Sequence, residues 1–147
     1  MAAPAIRHPK LRRLYDYWAG KRGARKMPSR ADIDPIDKAF VIGNIIMADV
    51  IPGEPLGFRI RLHRTTLSER VGYDLTGKML GEMPVPEFRD LSRPSFTKVA
   101  TTGEPVHALA DRLVDDRMQR YEAITMPLSS DGATVDRLLV GPIYGGR

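Results

Sequence analysis

Three strand-like runs close this chain, at about residues 106–114, 119–128 and 135–144, and only a few residues separate each from the next. Strands joined by such short turns run antiparallel, because a parallel return needs a crossover of a dozen residues or more. The first gap holds Asp115-Asp116 and the second Asp131-Gly132, both turn-forming pairs. Two further strands are expected upstream. "NIIMADVI" is rich in β-branched residues and stops at Pro52, Gly53, Pro55 and Gly57. "FRIRLHRT" alternates, with Phe58, Ile60 and Leu62 on one face and Arg59, Arg61 and His63 on the other, the pattern of a half-buried strand.

The other segments read as helical. Leu11, Leu14, Tyr15 and Trp18 recur at i, i+3, i+4 and i+7, one apolar stripe on a helix over about 11–20. Such a stripe docks either on its own domain or on a second copy. Residues 1–10 carry two prolines and are expected to be disordered. Asp34-Pro35 opens a short second helix that should end near Gly43. Between 65 and 103, Gly72, Gly77, Gly81, Pro84 and Pro86 cut the chain into short helical pieces, before a longer helix from about Ser92 to Thr101 that ends at Gly103. At 147 residues the chain suits one domain, over 11–147. The order of elements makes it α+β: a five-stranded antiparallel sheet with helices on one face and an N-terminal amphipathic helix.

That order, with the residues that fill it, resembles the PAS fold. "VGYDLTGKMLGEM" is similar to the PAS stretch in which a Gly-Tyr ends one short helix and the next runs into a Gly-Lys and an apolar pair. "LYDYWAGKRGARKMPSRADIDPIDKAF" resembles the N-terminal part of a bacterial family of small PAS-like proteins, in which an L-Y-x-Y-W segment precedes P-S-R-x-D-I-D-P. The matching residues are Leu14, Tyr15, Tyr17, Trp18, Pro28, Ser29, Arg30, Asp32, Ile33, Asp34 and Pro35. The resemblance spans roughly 11–144. It implies a small-molecule cavity between sheet and helices, a sensory or regulatory role in bacterial signal transduction, and dimerisation. Because the sheet closes the chain, the output is expected to come from a separate protein.

"VGYDLTGKML" also raises a nucleotide-binding reading, since Gly72, Gly77 and Lys78 match most of the phosphate-cradling pattern G-x-x-x-x-G-K-[ST]. It fails on chemistry. Met79 stands where a hydroxyl must reach magnesium, and a thioether cannot replace it. The expected roles are ordinary: Gly72 caps a helix and Gly77 breaks the next piece.

With no cysteine, the chain has no disulfide, no thiolate metal site and no covalent flavin adduct. Haem is disfavoured, because the longer helix carries no histidine, and His63 and His107 are expected at the surface. A non-covalent small molecule is the remaining cofactor expectation. No metal site is expected: Asp115 and Asp116 suit a turn, and His107 and Asp111 lie four residues apart on one strand, more than ~13 Å. Neither a G-x-S-x-G nucleophile nor a paired acid and base stands out, so the chain reads as non-enzymatic. No apolar run approaches the ~20 residues of a membrane span, and the N-terminus has no signal-peptide core, so the expected location is cytoplasmic.

Charge is unevenly placed. Residues 1–30 hold nine Lys or Arg against one acid, Asp16, while the other 117 residues hold 14 basic and 17 acidic. The basic arm supports an alternative reading as a nucleic-acid-associated adaptor. A solvated helix face is the plainer account, and nucleic acid is not the expected partner, since no recognition motif accompanies the charge. The expected ligand pocket is Phe58, Ile60, Leu62, Met79, Leu80, Met83, Phe96, Val99, Leu109, Leu113 and Ile124. The expected dimer or partner helix presents Leu11, Leu14, Tyr15 and Trp18. The last strands are apolar on both faces in places, so their phase is weakly specified.

Overall fold

The computed structural model describes residues 5–34, 45–64, 76–82, 86–114 and 117–145. Five strands form one antiparallel sheet in the order β2-β1-β5-β4-β3. They are β1 (Ile45–Ile51), β2 (Gly57–Arg64), β3 (Val106–Val114), β4 (Arg117–Leu128) and β5 (Arg137–Gly145). All five lie where the apolar runs and turn signals predict them. The hairpins β1–β2, β3–β4 and β4–β5 follow from short connections, and β5 then pairs with β1 to join the two halves.

Helix α1 (Pro9–Arg22) crosses one face of the sheet, called the outer face here. Helix α2 (Pro86–Thr102) crosses the other, the inner face. The assignment follows from register. Gly141 pairs with Ile124, and a Cβ built on Gly141 would stand 2.6 Å from Leu14 Cδ2 and 3.0 Å from Leu11 Cδ2. Ile124 and Gly141 therefore face α1. Phe58, whose partner Val50 alternates with Asp49 of the outer face, meets Phe96 of α2 edge to face, with centroids 5.4 Å apart and planes at 81°.

The helix stripe ends on its own domain. Leu11, Leu14, Tyr15 and Trp18 are all buried, Trp18 to 1% exposure, and the Trp18 indole N–H donates to the Pro127 carbonyl at 2.9 Å. The expectation that these four side chains present a dimer or partner surface is corrected by this docking, since a side chain buried against β4 and β5 has no apolar area left for another chain. The start of α1 is equally held. Ile6 is buried, and the Arg7 and His8 amides donate to Glu122 of β4. Residues 6–10, expected to be disordered, run past that carboxylate into the first turn of α1.

Helix α2 begins earlier than predicted, because Pro86 suits a first helical position. It also runs through Pro94. Proline removes the hydrogen bond to the carbonyl four residues back, here that of Asp90, and both residues lie on the exposed side of the helix. The predicted short helix over Asp34–Gly43, the Gly72 cap and the Asp115-Asp116 turn lie outside the described residues, apart from Asp34 itself.

Candidate ligand site

The inner face is built by alternation along the strands. Register places Ile46, Ala48 and Val50 of β1, Phe58 and Ile60 of β2, and Leu138, Val140 and Pro142 of β5 on it, with Tyr121, Ala123, Thr125 and Pro127 of β4 and Val106, Ala108 and Ala110 of β3. Opposite them, α2 buries Ser92, Phe96 and Val99, spaced i, i+4 and i+7. The two halves of this face differ in bulk. Beneath β1 and β2 the side chains are Ile46, Phe58 and Ile60, all buried. Across β3 and β4 the floor is low where Ala108 pairs directly with Ala123, and next to it Ala110 pairs with Tyr121.

Of the expected pocket residues, Phe58, Ile60, Phe96 and Val99 meet between α2 and the sheet. Leu80 is buried on the 3-10 turn Leu80–Glu82, which packs against both β2 and α2. Met79 is half-buried and bridges Arg59 at the edge of β2. Leu109 and Ile124 belong to the other face. Leu109 is 38% exposed there, and Ile124 lies under α1. Strands that are apolar on both sides leave their phase open, and the larger side chains at 109 and 124 suggested the wrong one. Met83 and the side chains of Leu62 and Leu113 lie outside the described residues. The residues missed by sequence reasoning are the small ones, Ala108, Ala110 and Ala123, and the polar pair Ser92 and Thr125. The available signal was the opposite phase of β3 and β4.

The Gly77-Lys78 stretch is neither helix nor phosphate loop. Gly77 N–H donates to the Ile60 carbonyl at 2.6 Å and Ile60 N–H to the Lys78 carbonyl at 2.8 Å. The segment thus pairs with the outer edge of β2. Gly77 has φ 89°, a left-handed value that favours glycine.

On the outer face, Glu122 is 5% exposed and takes three donors or partners. Its Oε2 accepts from Arg7 N–H at 2.7 Å and lies 2.7 Å from His107 Nε2, and its Oε1 accepts from His8 N–H at 3.1 Å. Burial pushes its carboxyl upward, but the Arg7 amide and His107 outweigh that and hold it below the usual range. His107, expected at the surface, has a side chain only 16% exposed. Its expected strand-mate Asp111 pairs with Arg120 at 3.1 Å instead. Beyond α1, Asp49 holds both Arg61 and, at 3.0 Å, Arg137.

A sequence model of the PAS domain matches residues 6–142. The chain belongs to the PAS domain family. No curated protein sequence matches this PAS domain. Among solved structures, a light-oxygen-voltage domain studied with a flavin analogue is 16% identical, with a TM-score of 0.50 over 74% of this chain and 81% of that one. The PAS domain of Bordetella pertussis BvgS is 19% identical, with a TM-score of 0.46 over 69% of this chain and 74% of that one. The first likeness is one of fold: five antiparallel strands with helices. No helix among the described residues is long and apolar enough to cross a membrane.

Several cations of the basic arm of this PAS domain are engaged internally. Arg25 pairs with Asp32 at 2.9 Å and donates to the Lys21 carbonyl at 2.8 Å. Arg30 donates to the Ile33 carbonyl at 3.0 Å, and Lys26 to that of Thr102 at 3.3 Å. Arg22 lies over the Trp18 ring, 5.7 Å from its centroid. These contacts fasten the segment after α1, and of them only the Arg25–Asp32 pair offsets a charge.

Proposed function

We propose that this PAS domain is a non-enzymatic sensory module that holds a small molecule between α2 and the inner face of the sheet and signals through a separate protein. One observation carries the reading: the outer face is closed by the chain's own helix, whereas the inner face combines bulky walls at Phe58, Ile60, Phe96 and Val99 with a low floor of alanines. Apolar walls with few polar groups are what small-molecule sites present. A bacterial setting, a cytoplasmic location and a homodimer belong to the same proposal. The dimer surface then lies elsewhere than the buried stripe of α1.

Native mass spectrometry of the purified chain, beside a denatured sample and an absorbance scan, tests this. A mass excess lost on denaturation is the expected result, with the spectrum separating a flavin or haem from a colourless metabolite. A bare polypeptide mass, from cells grown in several media, would overturn the ligand reading and leave protein contact as the function. The same spectra give the subunit count.

A further inference from the structure

Helix α2 buries one polar atom that its neighbours leave unanswered. Ser92 is 3% exposed, and its Oγ has no hydrogen-bond partner among the described residues. A serine or threonine on a helix ordinarily bonds a carbonyl one turn back. Thr101 and Thr102 of this helix do so, to the Thr97 carbonyl at 2.9 Å and the Lys98 carbonyl at 2.7 Å. Ser92 does not. It shares the buried stripe of Phe96 and Val99, so its hydroxyl lies on the face of α2 turned to the sheet. A hydroxyl kept from water and left unpaired destabilises the fold that buries it. Such departures from local consistency mark functional positions.

The sheet opposite supplies the second observation. Ala108 and its partner Ala123 leave that part of the floor without bulk, beside Ala110 and Tyr121, and on the β3 side the floor is only half-buried. From Val106 to Ala110 of β3 and from Tyr121 to Pro127 of β4, the side chains that register turns to the inner face are uncharged, and Arg112, next in that phase, lies outside the described side chains. A carboxylate or ammonium entering here would lose its hydration with no counter-charge from these described side chains.

We infer that the inner site takes an uncharged, largely apolar small molecule that presents one acceptor oxygen, of the ketone, ester or alcohol type, to the Ser92 hydroxyl. This rests on the ligand-sensing reading above. Ser92 donates its proton in that hydrogen bond, and the alanine floor receives the hydrocarbon body. In the free protein the hydroxyl is a liability that the ligand removes.

Three probes of similar size separate the possibilities in NMR titrations of the full chain: cyclohexanone, methylcyclohexane and cyclohexanecarboxylate. Cyclohexanone should shift resonances of α2, β3 and β4, and Ser92→Ala should weaken its binding roughly fivefold to tenfold, the range of one net hydrogen bond. Ser92→Thr, which keeps the hydroxyl, should restore it. Methylcyclohexane should bind wild type and Ser92→Ala equally, and the carboxylate should shift nothing there. Unchanged cyclohexanone affinity in Ser92→Ala, or carboxylate binding equal to the ketone's, would overturn the inference and leave the ligand reading standing. If none of the three shifts these resonances, the ligand reading falls with it. Ser92→Ala should also be at least as stable as wild type without ligand, and a clear loss of stability would show that the hydroxyl is already satisfied.

Discussion

Along β4, successive side chains enter two different environments. Ile124, Met126 and Leu128 turn to α1, and all three are fully buried. Alternating with them, Ala123 and Thr125 turn to α2 over a floor that continues as Ala108. The outer face is packed so closely that a methyl at 141 would have to displace the Leu14 and Leu11 side chains, and its helix is held by Glu122 at the start and by the Pro127 carbonyl at Trp18. The inner face carries small side chains and an unpaired hydroxyl. On the reading proposed above, one face serves stability and the other receives the ligand. A domain that senses must keep some part of its interior below the best achievable packing, because a site already filled has nothing to receive.

The largest test of this contrast is Trp18→Ala. Removing a fully buried indole should cost about 3–5 kcal/mol, read as a lowered urea midpoint. Light scattering should show no change in assembly, since the ring is spent on its own sheet. A fall in mass with unchanged stability would return the helix to a partner role.

A paired substitution compares the faces directly. Gly141→Ala puts a methyl 2.6 Å from Leu14 Cδ2 and should destabilise by about 1–3 kcal/mol through overpacking. Ala123→Leu adds more volume on the other side of the neighbouring strand. It should be close to neutral in denaturant melts if the inner floor has room, and it should abolish binding of any small molecule there. A loss as large as that of Gly141→Ala would mean that both faces are equally full.

Glu122→Gln should cost about 1–3 kcal/mol at neutral pH, because a buried acceptor of two amides loses its charge. The sign with pH is fixed by direction. The folded-state carboxyl is held below its unfolded value near 4.5, so its stabilisation is present above that pH and is lost as pH falls through the lowered folded value. The variant should therefore show a flatter acid limb in melting temperature against pH, and residues 6–10 should exchange amide protons faster.

The smallest effect is expected at Asp131, in the turn between β4 and β5. Its Oδ1 accepts from the Ala133 and Thr134 amides, each at 2.8 Å, and from Ser129 Oγ at 2.9 Å. The Thr134 and Ala133 amides, with Ser129, pull its carboxyl to about 2. Its contribution is complete above the unfolded value of 3.8 and disappears as pH falls toward 2. Asp131→Asn should lower the neutral-pH melting temperature less than Glu122→Gln does.

Much of this domain can be read from residues near one another in the chain. Five strands, two helices and the antiparallel order follow from period-2 and period-3.6 patterns and from Asp131-Gly132 and Gly103, because these depend on local geometry and short connections. The apolar stripe of α1 was legible, and so were Phe58, Ile60, Phe96 and Val99 as interior residues. Three matters needed the tertiary structure. Whether α1 docks on its own sheet or on another copy depends on the opening that Gly141 leaves, which no residue of the helix encodes. The phase of β3 and β4 depends on how the chain turns between them, since Leu109 and Ala108, or Ile124 and Ala123, suit either face by hydrophobicity alone. The state of Ser92 depends on what surrounds its hydroxyl in space. A sequence names the donors it carries. Only the folded chain decides which of them are left without an acceptor, because hydrogen bonding over long separations is a property of packing.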